Sequence, residues 1–307
     1  MTYPSGRVLS FSYNAAGQVT GLQVDGTPLV SSIQYLPFGP VKSASLGTLS
    51  LTRSYDQRYQ ISRIQAGGLD YTYTRDKAGQ VTAVTNLPSP TTDGITERTT
   101  INGNNNQITD VTGTATRTYS HDAGGNITSD GTSTYTWDAL NRLVKVEKAG
   151  ATVATYGYDS QNRRIRKTAG TKTIHYHYDK TNLLIGETLA DGTPLRDYFY
   201  LGGEPIALRE YETNPGTYYF LNDQLGTPQQ LVKTDGTVVW KAAYLPHGQA
   251  QVQLGTVTNN LRFPGQYFDV ETGLHYNWHR FYDPGTGRYI SADPIGLAGG
   301  MNLYAYV

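Results

Sequence analysis

The sequence predicts an all-β fold, with antiparallel β-hairpins stacked one after another into a long, curving sheet. Three observations carry this reading. A unit made of an aromatic residue, a turn and a short alternating strand recurs at a spacing near twenty. Turn formers are dense, with 34 glycines in 307 residues, about 11% against a usual ~7%. Apolar residues at three- and four-residue spacing between caps, the mark of a helix, are almost absent.

In chain order, the copies begin at Tyr3, Tyr13, Tyr55, Tyr71, Tyr119, Tyr135, Tyr156, Tyr176 and, in degenerate form, Tyr198. Trp137 to Tyr158 is 21 residues, Tyr158 to Tyr178 is 20 and Tyr178 to Tyr200 is 22, a period that means a repeat architecture. In the copy YGYDSQNRRI at residues 156–165, the two tyrosines share a strand face because successive side chains alternate. Asp159 and Asn162 then turn the chain, since Asp bonds the backbone two residues on and Asn tolerates positive φ. The runs Arg163–Lys167 and Asn141–Val146 read as second strands with one wet face. The tyrosine rings are expected to form a cross-strand packing ladder with their hydroxyls left in water. One such hairpin cannot bury its apolar face alone, but stacked neighbours bury it together. Residues 86–116 concentrate Pro, Asn and Gly and read as loops or an eroded repeat. The period is lost after Tyr211, and from Tyr218 the chain is denser in aromatics, which divides it into a repeat region, 1–217, and a C-terminal core, 218–307.

Composition excludes several classes of function. Lys plus Arg and Asp plus Glu number 25 each, and a zero net charge argues against nucleic acid or an anionic membrane surface as partner. No window approaches the ~18 apolar residues of a membrane span. The absence of cysteine removes disulfides, thiolate metal sites and cysteine nucleophiles. No phosphate loop, dinucleotide fingerprint or nucleophile elbow is present, so no cofactor is expected. Met1 stands directly on a repeat, so the chain is expected to be a piece of a longer protein, with any native targeting signal outside it.

The repeats resemble the YD (tyrosine-aspartate) repeats of RHS proteins, and the C-terminal third resembles the RHS repeat-associated core. The segments that carry this run from Tyr219 to Gly248 and from Leu261 onward, the second including HYNWHRFYDPGTGRYISADPIGLAGGMNLYAYV. Bacterial RHS proteins, C subunits of insecticidal ABC toxins and eukaryotic teneurins share the pattern. The resemblance implies a spiralling sheet that forms the wall of a hollow cage, a core segment folded inward, and an enclosed C-terminal toxin. It also implies that the core is an aspartate-dependent autoprotease, which frees the toxin at a second DPxGL motif. The first such motif here is Asp293 to Leu297; the second motif, the scissile bond and the toxin are expected beyond Val307.

By this resemblance Asp293 is the candidate catalytic aspartate and Arg280, thirteen residues earlier, its supporting arginine. The chemistry is sound on its own terms. Cutting a peptide with carboxylates needs one to activate water and a second to protonate the leaving amine, and two close carboxyls split their pKa values to supply both. Asp283 is a candidate for the second acid, and an aspartate beyond this chain is the other. Against both stands the reading of Asp283-Pro284 and Asp293-Pro294 as plain turn formers. His275 and His279 would have ligand spacing on a helix, but the segment reads as a strand, where four residues span about 13 Å, too far for one zinc. They read as surface or packing residues, and His175 with His177 lacks a third ligand. Asn126-Ile127-Thr128 is a glycosylation sequon that would matter only in a eukaryotic secretory protein.

The leading reading is therefore a bacterial, secreted or cell-surface shell segment with a self-processing core. Its expected partners are the toxin domain of its own parent chain, a delivery machinery and, through open sheet edges, further copies of itself. A cell-surface adhesin or carbohydrate-binding repeat module is the competing reading, with the aromatic sheet as working surface; such a module has no need of the ADPIGLAGG core. Residues 261–307 are expected to dock on the repeats through Tyr267, Phe268, Tyr276, Trp278, Phe281, Tyr282 and Tyr289, too much apolar area to leave in water.

Overall fold

The computed structural model of the chain describes residues 1–90, 97–113 and 116–306. Of the irregular stretch expected at 86–116, residues 91–96 and 114–115 lie outside the described residues, as does Val307. Regular structure in the rest is antiparallel β, apart from a single 3-10 turn at Gly296–Gly299. The strands Arg98–Ile101 and Ile108–Thr112 pair as a hairpin within that stretch.

The hairpin turns share one local design. The Asp159 amide donates to the Arg163 carbonyl and the Asn162 amide to the Asp159 carbonyl, at 3.0 and 3.1 Å. Asp159 Oδ1 accepts the amides of Gln161 and Arg163, both at 2.9 Å. Asp56, Asp138, Asp179 and Asp223 accept the amides two and four residues on in the same way, and Asn14 does so with its amide oxygen. The fourth turn residue must take positive φ, which explains Asn141, Asn162 and Asn182 at 57 to 68° and Gly17 and Gly226 at the same place. Tyr59 occupies it at 61°, a conformation costly for a bulky residue.

A second recurrent device sits just before each turn. The strand register slips by a bulge at Tyr35, Tyr55, Trp137, Tyr158 and Tyr200, and a bulge re-aims the side chain it carries. The hydroxyls of Tyr35, Tyr55, Tyr158 and Tyr200 then donate to the carbonyls of Val19, Val41, Leu143 and Leu184 at 2.6 to 2.9 Å. Trp137 and Arg75 donate ring and guanidinium N–H groups to Ile127 and Ile61 in the same manner. The expectation that these hydroxyls stay in water is thus overturned, because the bulge turns each one back to the strand before it. Removing one such bond, in Tyr158→Phe, is expected to cost about 1 kcal/mol in a urea titration.

The chain divides into two compact units. The first is Met1–Ser89, His177–Ala243 and Gln251–Asn259. Eight strands from Leu9–Tyr13 to Val81–Val84 pair in chain order, and strands from Leu184–Leu189 to Pro228–Val232 pair likewise. Leu22, Val30, Leu46 and Ile64 share one core with Phe199, Ala207, Leu221 and Val232. Tyr3 donates to the Tyr198 carbonyl at 2.9 Å, and Arg53 grips both oxygens of Glu204 at 2.6 and 2.7 Å. Gly47 is obligatory, since a Cβ there would lie 2.7 Å from the Tyr219 hydroxyl at a φ of 58°.

The second unit is Pro90–Tyr176, Tyr244–Ala250 and Asn260–Val307. Strands from Ser120–His121 to Arg164–Ala169 pair in chain order, and Gln266–Phe268, His275–Asn277, Arg280–Asp283 and Arg288–Tyr289 form a separate four-stranded sheet. Tyr267, Tyr276, Phe281, Tyr282 and Tyr289 are buried, while Phe268 and Trp278 are half-buried. Asn126 of the sequon is also buried, its amide donating to Asp122 and Asn141, so the folded chain presents no acceptor for a glycan there.

Candidate functional site

Arg280 begins the third strand of the C-terminal sheet, opposite Asn277 across the two-residue turn Trp278-His279. Trp278 holds a φ of 59°, and its indole fills the space a Cβ on Gly265 would need, 2.6 Å from that position. The Arg280 guanidinium lies over the Tyr289 ring, 3.6 Å from its centroid, and donates to the Leu303 carbonyl at 3.2 Å. Its other terminal nitrogen meets Asp293 Oδ2 at 2.9 Å. Both partners are about seven-eighths buried, with 13% of each side chain exposed, so solvent screens the pair less than at a surface.

Asp293 is fixed from every side. Its amide donates to the Leu303 carbonyl at 2.9 Å, and its carbonyl accepts the Gly296 amide at 2.9 Å. Oδ1 accepts the Ile295 amide at 3.0 Å, so the residue is at once a turn former and the anion facing Arg280. Gly299 closes against it, since a Cβ there would lie 3.0 Å from Oδ2. The site thus holds one carboxylate oriented by a backbone amide on Oδ1 and by a guanidinium on Oδ2.

Asp283 is placed elsewhere. Its Oδ1 accepts the Gly285 amide at 2.8 Å and its Oδ2 the Thr286 hydroxyl at 3.0 Å. Burial pushes its carboxyl above the usual carboxylate range, against the pull of these bonds and of Arg117. Among the described residues no hydrogen bond joins it to Asp293 or Arg280. The structure therefore brings together two of the three candidate residues, Arg280 and Asp293, and leaves the third in its own turn.

A second constellation escaped the sequence reading. Arg164 and Asp269 are fully buried and form an ion pair. Lys167 joins Asp269 at 3.1 Å and Glu271 at 2.9 Å, and Lys148 donates to the Glu271 carbonyl at 2.8 Å. The Arg164 guanidinium lies 4.4 to 5.7 Å from the rings of Tyr156, Tyr176, Tyr267, Tyr276 and Phe281, the arrangement of a cation in an aromatic cage. Burial pushes the Asp269 carboxyl up, but Arg164 and Lys167 outweigh it and hold it below its ordinary value. The wet face expected along Arg163–Lys167 is thus inverted, with Arg164 and Lys167 inside and Ile165 exposed. A signal was present in the repeat alignment. Five residues after the turn Asp or Asn the other copies carry Val19, Ile61, Val81, Ile127, Leu143 and Leu184, and only this one carries arginine.

His275 is buried against Phe268 and Tyr282, and its Nδ1 shares a 2.7 Å hydrogen bond with the Gln266 side chain. Burial, with the nearby Arg262 charge, pushes its pKa down to about 3. His279 is exposed in the turn, and His177 hydrogen-bonds Thr188 at 3.0 Å. No group of three or more His, Cys, Asp or Glu side chains suited to a metal exists among the described residues.

Asp-closed hairpins, bulged aromatics and a C-terminal sheet docked on them define a repeat shell of the RHS/YD type. The profile of the Teneurin YD-shell family matches residues 92–298, two-thirds of the chain, and the chain belongs to that family. It is similar to the tRNA nuclease WapA of Bacillus subtilis, at 32% identity over 244 residues, covering 76% of this chain and 10% of that protein. It is similar also to the double-stranded DNA deaminase toxin A of Burkholderia cenocepacia, at 31% over 207 residues, 57% of this chain and 14% of that one. The chain thus spans about a tenth of the length of such relatives. The Tc holotoxin pore of Photorhabdus luminescens shares its fold, with a TM-score of 0.74 at 16% identity over 100% of this chain and 20% of that one. So does the TcdB2-TccC3-Cdc42 crystal structure, with a TM-score of 0.69 at 19% identity over 99% of this chain and 20% of that one.

Proposed function

We propose that the chain is part of the wall and the self-processing core of a shell that encloses a toxic C-terminal domain of the same parent protein, with residues 218–307 as the core. The relatives include a tRNA nuclease and a DNA deaminase toxin, which supports a shell with a toxic passenger. The observation that carries the cleavage is the Arg280–Asp293 contact at 2.9 Å, on a carboxylate whose other oxygen is held by a backbone amide. In the reaction Asp293 takes a proton from water, the hydroxide adds to the scissile carbonyl, and a second carboxylic acid protonates the amide nitrogen as the C–N bond breaks. Arg280 aims the Asp293 carboxylate through the 2.9 Å contact. The second acid is Asp283, if its turn opens, or an aspartate supplied by the segment being cut. Secretion or surface display, a delivery machinery and contacts between open edges such as the strand Val81–Val84 belong to the same reading.

In the full-length protein, Asp293→Asn is expected to abolish release of the C-terminal domain while the shell stays folded, because Asn keeps the turn geometry but moves no proton. Arg280→Lys should slow release about tenfold or more, since an ammonium cannot reproduce the guanidinium fork or its contact with the Tyr289 ring. Both are read as the released fragment on a gel beside a melting curve. A normally sized fragment from a folded Asp293→Asn protein would refute the reading.

A further inference from the structure

We propose that Arg164 and Asp269 are positioning residues for the Arg280–Asp293 pair, setting the register in which the C-terminal strands lie on the hairpin sheet and hence where Arg280 meets Asp293. The use of that pair in cleavage rests on the reading above, whereas its placement by Arg164 does not.

Arg164 touches the C-terminal segment at two separated points. Its guanidinium pairs with Asp269, and its backbone amide donates to the Tyr276 hydroxyl at 2.7 Å. Two anchors seven residues apart fix the direction as well as the position of that segment, and Lys167 on Glu271 adds a third. The path from there to the site is short. Tyr276 pairs with Phe281 and Asn277 with Arg280. The Phe281 carbonyl accepts the Ile290 amide at 3.0 Å, and the Asn277 side chain donates to the Tyr289 hydroxyl at 2.6 Å, beneath the Arg280 guanidinium.

Stability alone does not account for the charge. A buried ion pair contributes little over well-packed apolar side chains of the same volume, and every sister repeat named above uses such a side chain at this place. An apolar residue under a surface of aromatic rings accepts several registers. A guanidinium that must meet one carboxylate accepts one, and a one-residue slip of a strand would turn its side chains to the wrong face.

The test uses this chain as it stands, with amide hydrogen exchange as readout. In Arg164→Met with Asp269→Leu, the melting temperature should stay within about 5 °C of wild type. The Ile290 and Asp293 amides should nevertheless exchange on the order of tenfold faster or more, while those of Leu143–Lys148 keep their protection. Asp269→Glu keeps the charge but lengthens its arm by a methylene; it should fold and show the same selective loss, so the proposal is testable even if the double variant does not fold. Unchanged protection at Ile290 and Asp293 in either folded variant would overturn it. In the full-length protein, the folded double variant should release its C-terminal domain at least about tenfold more slowly. If Asp293→Asn cleaves normally, the cleavage reading fails while the exchange result still decides the positioning role.

Discussion

Acid is expected to weaken the fold through His275 by on the order of 4–5 kcal/mol between pH 6.5 and pH 3. The imidazole is buried and held neutral, with its pKa pushed down to about 3 from an ordinary 6.5. The unfolded chain therefore binds a proton that the folded chain refuses. The contribution is fully present above pH 6.5 and is lost as the pH falls toward 3. Burial of Asp223 works in the opposite sense, because its carboxyl is pushed up to about 6 from 3.8. Its contribution is present below pH 3.8 and lost as the pH rises through 6. The informative quantity is thus the difference between wild type and His275→Asn, whose amide can still hydrogen-bond with Gln266. Urea titrations at each pH unit from 7 to 4 should show wild type losing ground steadily to the variant, and parallel curves would mean that the imidazole is protonated in place.

Asp269→Ala should be the most damaging single substitution near the candidate site, at about 3–5 kcal/mol and on the order of 10 °C in melting temperature. It strands the Arg164 charge, fully buried beneath aromatic rings, and leaves Lys167 with Glu271 alone. The contrast with the paired apolar replacement separates the penalty of an orphaned charge from the small net value of the pair. Calorimetry of the two proteins side by side gives the answer; equal melting temperatures would show that water reaches Arg164 once Asp269 is gone.

The hairpins were legible in the sequence because their determinants are local. An Asp that accepts amides two and four residues on, followed by a residue at positive φ, is written within five positions, as at Asp159 to Arg163. The tyrosine bonds were not legible, because they depend on a bulge that alternation does not encode and reach back 14 to 16 residues. Of the candidate site, the thirteen-residue spacing of Arg280 and Asp293 matches no secondary-structure period, so only the family resemblance could pair them. Asp283 looked equivalent because it also precedes a proline, yet its oxygens are taken by Gly285 and Thr286. Arg164 was hidden by its neighbours: among Arg163, Arg166 and Lys167 it read as one more solvated charge, although its place in the repeat belongs to aliphatic residues.

The turn bonds close over two to four residues and the tyrosine bonds over 14 to 16, whereas Arg164 and Asp269 stand 105 residues apart. On a ribosome that difference becomes an order of events. Each hairpin can set soon after it emerges, against the one synthesised before it. The strands from Gln266 to Tyr289 emerge after the hairpins they dock on, and the charge on Arg164 waits for them in water. The contact between Arg280 and Asp293 therefore first exists only when translation has passed Leu303, whose carbonyl holds both residues, so any chemistry at that contact is timed by synthesis itself.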